Sequence, residues 1–148
     1  MTTYPTEWLS ARWTGEGKQP KLAHSDDAGF DLAYHGDQPI TVYPTQTCNI
    51  PTGISIQLPA GTWGMITGRS STFMKRHLLT PLSVIDNGFR GELFAVVRNI
   101  GDEPQEIQPD ERIAQLIIMP MTSHQVTWTY GALEDTQRGA NGFGSTGL

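Results

Sequence analysis

Along most of this chain apolar residues recur at every second position. "ITVYP" (Ile40, Val42), "GISIQL" (Ile54, Ile56, Leu58), "WGMITG" (Trp63, Met65), "LFAVV" (Leu93, Ala95, Val97) and "QVTWTY" (Val126, Trp128, Tyr130) each place apolar side chains on one face of an extended segment. "DERIAQLIIMP" reads as a further, more continuously apolar strand. Helical periodicity is nearly absent, and only a turn or two of helix is expected, at "EWLSAR" or in "TFMKRHLL". Turn-forming stretches separate the strands: "NIPTG" at 49–53, "LPAGT" at 58–62 and "NIGDEPQ" at 99–105. Short alternating strands between such turns predict an all-β subunit, an antiparallel β-sandwich or jelly roll. After Gly131 the alternation stops. The pattern therefore divides the chain into a β domain over 1–132 and a flexible C-terminal arm over 133–148.

Composition narrows the chemistry. With 148 residues, 37% of them hydrophobic, the chain is long enough to bury one core without a disulfide or a structural metal. The single cysteine, Cys48, cannot form an internal disulfide, and His24, His35, His77 and His124 lie too far apart for zinc-ligand spacing. The first residues carry no basic start followed by an apolar run, and no apolar stretch is long enough for a membrane-spanning helix. A cytoplasmic location with no membrane partner is expected. A net charge of -5 argues against a nucleic-acid surface, which would be basic. It leaves room for a phosphate ligand held by locally placed cations.

Four segments and the tail carry candidate chemistry. Asp31 follows an Ala-Gly turn in "SDDAGFDLAYH". "GRSS" concentrates the Arg69 guanidinium with the Ser70 and Ser71 hydroxyls, donors suited to phosphate oxygens. In "SVIDNGFRGEL", Asp86 ends an apolar run and precedes Asn87-Gly88, a hairpin signal that would leave the carboxylate at a sheet mouth beside Phe89. There it could orient and deprotonate a water or serve only as a turn aspartate. Gln115 is a lone amide in the last strand and needs a partner in the backbone or a ligand. "RGANGFGSTGL" offers four glycines, Arg138, Phe143, Ser145 and Thr146. Gly139 and Gly144 have the spacing of a nucleotide P-loop, but Ser145 stands where that loop needs lysine, which excludes it.

Taken in order, "AGFDLA", "GRSS", "VIDNGFRGEL", "ERIAQLI" and "RGANGFGSTG" resemble the five motifs of the trimeric dUTPase family, the dUTP nucleotidohydrolases. The resemblance extends over residues 28 to 147. It implies a jelly-roll subunit in a homotrimer, active sites built from more than one subunit, and hydrolysis of dUTP to dUMP and pyrophosphate with Mg²⁺ on the triphosphate. By the same resemblance Asp86 orients the water that attacks the α-phosphorus, and Arg69, Ser70, Ser71 and Gln115 hold phosphates. Phe89 packs under the deoxyribose, and Thr80, Val84 and Ile85 join the substrate-binding set. In the arm Phe143 stacks on uracil while Arg138, Gly144, Ser145 and Thr146 reach the phosphates. Asp31 supports the site from its rim.

The chain departs from the family pattern at several places. Phe89 replaces the usual tyrosine, Ser83 the glycine before "VID", and Thr80 an asparagine found in many members. Asp110 and Asn141 stand where glycine is common, and both residue types tolerate unusual turns. The related dCTP deaminases share the fold but carry a catalytic glutamate where this chain has Val96, with Glu92 too early to replace it. That enzyme and a non-catalytic trimeric nucleotide-binding protein are the alternatives to a dUTP diphosphatase.

Overall fold

A computed structural model describes residues 10–122 and 126–142. Its described residues form eleven strands and one helix. They are β1 (Arg12–Gly15), β2 (Gly29–Ala33), β3 (Ile40–Val42), β4 (Thr47–Pro51), β5 (Ile54–Gln57), β6 (Thr62–Gly68), α1 (Ser70–Arg76), β7 (Leu78–Leu79), β8 (Ser83–Ile85), β9 (Phe94–Asn99), β10 (Gln105–Ile107) and β11 (Arg112–Pro120). Every pairing between them is antiparallel. The four-stranded sheet runs β2-β11-β6-β8 and the three-stranded sheet β4-β9-β7, with β1-β5 and β10-β3 as two-stranded ribbons. Strands far apart in sequence are thus neighbours, the crossover pattern of a jelly roll.

The two larger sheets share one core. Leu32, Ile66, Ala114 and Leu116 from the first belong to the same buried cluster as Ile50, Leu78, Ala95 and Val97 from the second. The alternation read from "ITVYP", "GISIQL" and "LFAVV" holds: Val42, Ile54, Ile56, Leu58, Leu93, Ala95 and Val97 are buried. Asn99 is fully buried among them, and its amide is fully occupied. Its Nδ2 donates to the carbonyls of Val42 (2.9 Å) and Glu103 (2.7 Å), while its Oδ1 accepts from the Gly101 amide (2.9 Å).

Three local expectations are corrected. In "WGMITG" the core-facing residues are Gly64 and Ile66, and Trp63 and Met65 face the other side of the sheet. Gly64 belongs inside because Leu116 and Ile85 fill the space a side chain would need, 3.1 and 3.2 Å from a Cβ placed there. Next, "DNGF" is no hairpin, since β8 pairs with β6 and β9 with β4 and β7. The Phe89 amide closes a turn on the Asp86 carbonyl (3.0 Å), and the Asn87 side chain is spent on the carbonyls of Pro59 and Thr62, each at 2.8 Å. Finally, residues 126–130 form no strand: Val126, Trp128 and Tyr130 are 91%, 83% and 97% exposed, and no strand among the described residues pairs with them. Of the two helix sites, "TFMKRHLL" lies largely in α1, whereas in "EWLSAR" residues 7–9 are outside the described residues and Arg12 begins β1.

Asp110 takes the left-handed conformation (φ 63) that explains why a glycine suits its place; Asn141 does not, and Gly139 beside it does (φ 55). The turn is held by the Asp110 amide on the Tyr34 carbonyl (2.9 Å). Asp110→Gly is expected to leave the urea midpoint unchanged or raised, whereas Asp110→Ala should cost about 1 kcal/mol, the left-handed penalty of a residue with a Cβ and no polar side chain.

Candidate active site

The register of β11 assembles the first part of the site. Gln115 pairs with Asp31 on one side and with Thr67 on the other, so three polar residues form one row on the outer face of the four-stranded sheet. Farther along the same face the row is apolar: Ile117 lies between Gly29 and Met65, with Val84 beyond. Arg69 directly follows β6 and is the N-cap of α1, so the strand-to-helix corner presents Ser70 and Ser71 beside that polar row. A cavity of about 260 Å³ results, lined by Asp31, Arg69, Ser70, Ser71 and Gln115 together with the Asp27–Gly29 turn.

Its charges are fixed by Asp31, whose side chain is only 13% exposed. One carboxylate oxygen binds Arg69 Nε at 3.0 Å and the other Arg112 Nη1 at 3.1 Å. Arg69 Nη1 also donates to the Arg112 carbonyl (3.1 Å). Two guanidinium groups therefore share one carboxylate, so this trio carries one net positive charge beside two hydroxyls and an amide, with Asp27 as the other charged residue of the lining. Such donors suit the oxygens of a phosphate chain. The Gln115 amide is seated by its own contacts, with Nε2 donating to the Gly68 carbonyl (3.0 Å). Gly29 makes room for it, since a Cβ there would stand 2.3 Å from Gln115 Oε1. At the far end of α1, Arg76 pairs with Glu111 and with the Glu106 carbonyl, and burial pushes its guanidinium below its ordinary pKa.

The second part of the site lies elsewhere on the chain. Val84 and Ile85 belong to β8, the edge strand, and Asp86 and Phe89 to the turn after it. None of the four lines the cavity around Arg69. Asp86 is exposed, and among the described residues its carboxylate has no hydrogen bond or ion pair. The Phe89 ring lies over Gly91, where a Cβ would sit 2.6 Å from the ring. Thr80 is buried against Gly68, and its hydroxyl is the one buried side-chain donor among the described residues without a partner. Arg138 is exposed and its Nε donates to the Asn141 carbonyl (3.1 Å). Phe143, Gly144, Ser145 and Thr146 lie outside the described residues.

Sequence reasoning missed Arg112. A register shift between Arg112 and Ala114 makes Ile113 an extra residue in β11, and Ile113 and Ala114 are both buried. Strict alternation would have sent Arg112 inward with Ala114; the bulge turns it outward to Asp31. No feature of the sequence pattern announces that bulge. Glu92, too early in the chain to replace the deaminase glutamate, precedes β9 and its Oε1 accepts from the Gly53 amide (2.8 Å). Among the described residues no group of three or more His, Cys, Asp or Glu could hold a metal ion, and no helix is long and apolar enough to cross a membrane.

Comparison with known proteins agrees with this arrangement over nearly the whole chain. Residues 16–147 match the family model for dUTPase. The deoxyuridine 5'-triphosphate nucleotidohydrolase of Rhizobium etli is 38% identical over 152 residues, covering 99% of this chain and 96% of that protein. The protein of the same name from Escherichia phage T5 is 36% identical over 135 residues, covering 86% and 90%. Among solved structures, the Staphylococcus bacteriophage 80alpha dUTPase with dUPNHPP superposes with a TM-score of 0.86 at 24% identity, covering 94% of this chain and 99% of that one. A family model spanning most of the chain, full-length relatives and a shared fold lead to one conclusion: this chain belongs to the dUTPase family.

Proposed function

We propose that this chain, a dUTP diphosphatase by family, works as a homotrimer in which the phosphate cavity of one subunit is completed by the β8 turn of a second and the arm of a third. The observation that carries this reading is the separation within one chain: the cavity holds Arg69, Ser70, Ser71 and Gln115, and Asp86 lines no part of it. A carboxylate cannot activate a water against a phosphate bound in a cavity it does not reach. A second subunit brings the two together. The outer face of the four-stranded sheet supports such a contact, because apolar Val84 and Leu82 beside it are 59% and 57% exposed. Val126, Trp128 and Tyr130 keep the alternation of a strand with no partner among the described residues, which a neighbouring subunit's sheet would supply.

In this reading Asp86 orients a water and takes its proton as the water attacks the α-phosphorus, releasing dUMP and pyrophosphate. Arg69, Ser70, Ser71 and Gln115 position the phosphate chain, and Asp31 holds Arg69 in place. The ring of Phe89 offers a flat surface for the deoxyribose, and Val84, Ile85 and Thr80 complete the substrate-binding set. Residues 133–148 act as the arm: Arg138, Gly144, Ser145 and Thr146 reach the phosphates and Phe143 covers the uracil. Ordering of such an arm over the substrate would exclude water and complete the site.

Magnesium fits as a companion of the phosphates rather than of a protein cage. Mg²⁺ commonly keeps several waters and substrate phosphates as ligands, and both oxygens of Asp31 are taken by Arg69 and Arg112, so the ion would be carried on the triphosphate. When bound it supplies charge neutralisation along the triphosphate.

Asp86→Asn should keep nucleotide binding and lower dUTP hydrolysis by at least ~100-fold, the lower end for a lost general base, in a pyrophosphate-release assay. Near-normal turnover would remove Asp86 from its role. Deleting residues 138–148 should leave a trimer by sedimentation and abolish most of the activity; full hydrolysis after the deletion would separate the arm from catalysis.

A further inference from the structure

The Arg112–Asp31–Arg69 set sits where one β-bulge meets the wall of the phosphate cavity, and that placement has a functional reading. Without the extra residue Ile113, Arg112 would follow Ala114 and Leu116 toward the core; with it, Arg112 reaches the outer face and meets Asp31. Arg69 is then fixed twice, by its Nε on Asp31 and by its Nη1 on the Arg112 carbonyl. These contacts leave its Nη2 uncommitted among the described residues. The preceding residue, Glu111, holds Arg76 at the opposite end of α1. Thus the dipeptide Glu111-Arg112 fastens both ends of the helix whose first turn carries Ser70 and Ser71.

The charge balance gives Arg112 a further part. Asp31 with Arg69 alone is a neutral pair, and a carboxylate only 13% exposed would draw that guanidinium's charge away from a phosphate. Arg112 engages the other carboxylate oxygen and restores one net positive charge to the set. We propose that Arg112 is a positioning residue for the phosphate chain: it offsets Asp31 so that Arg69 is both oriented by that carboxylate and free to act as a cation toward the substrate. This rests on the proposed function for the identity of the substrate, but not for the presence of a polyphosphate site.

Calorimetry with inorganic tripolyphosphate on the intact protein tests it without requiring any hydrolysis. Arg112→Gln is expected to weaken tripolyphosphate binding about tenfold, and Arg112→Lys, which keeps the charge, to stay within about threefold of wild type. Thermal unfolding reports whether each variant is folded. Arg112→Met, which keeps a long unbranched side chain, provides a second neutral variant. In dUTP turnover the neutral variants should raise KM about tenfold with kcat changed less than about threefold, because Arg112 acts on binding and not on the attacking water. Wild-type tripolyphosphate binding in either folded neutral variant would overturn the proposal. So would an equal loss in Arg112→Lys and Arg112→Gln, or a fall in kcat with KM unchanged. If wild type binds tripolyphosphate but does not turn over dUTP, the substrate assignment fails and the role of Arg112 is still decided by the binding series.

Discussion

The structure depends on how β11 is held between β2 and β6. Side chains alternate along a strand, so one register places Ala114 and Leu116 in the core with Leu32 and Ile66, and Gln115 outside between Asp31 and Thr67. A slip of one residue would bury the amide and expose the core face. The hydrophobic cost of that slip is what fixes the polar row, so the packing that stabilises the sheet also positions the groups that line the cavity. The bulge at Ile113 is the one local exception to the alternation of this strand, and it brings Arg112 to Asp31. Core and site are therefore two faces of the same strand.

A consequence is that the chain holds the cavity's polar groups in place while leaving the carboxylate proposed to activate water on the surface. Arg69, Gln115 and Asp31 each have partners within the protein, whereas Asp86 is exposed at the end of an edge strand whose neighbouring residues are apolar. Asn87 pins the turn to the carbonyls of Pro59 and Thr62, so the loop is anchored even where the carboxylate is not. In a trimer such an anchored turn could be presented to a neighbour as a rigid unit. The same logic applies to the alternating residues at 126–130, which have the pattern of a strand and no partner among the described residues.

The sequence made the fold legible wherever alternation met a partner in the same chain. Ile54, Ile56, Ala95 and Val97 are buried as their spacing implied, and Gln115 of "ERIAQLI" lines one cavity with Arg69, Ser70 and Ser71 of "GRSS". The misreadings have separate physical causes. Glycine carries no hydrophobic signal, so Gly64 hid the core face of "WGMITG". Asn87-Gly88 has the composition of a hairpin turn, but the Asn87 amide is used on another loop and the flanking strands join different sheets. Val126, Trp128 and Tyr130 have a strand's alternation, but they pair with no strand among the described residues. Arg112 escaped notice because a bulge changes the direction of a side chain without changing composition. By contrast, the glycine-like turn at Asp110 could be anticipated from its departure from the motif, and its φ of 63 bears this out.

The central claim is that one active site takes residues from different subunits, and mixing two inactive proteins tests it most directly. Asp86→Asn subunits lack the carboxylate and Arg69→Ala subunits lack the phosphate cation; the two are unfolded together, refolded as mixed trimers and assayed for pyrophosphate release from dUTP. If the cavity and the turn come from different chains, random assembly regenerates intact sites and about a quarter of wild-type activity. If both residues serve from the same chain, every site carries one defect, and activity no greater than that of the two separate variants would contradict the shared site.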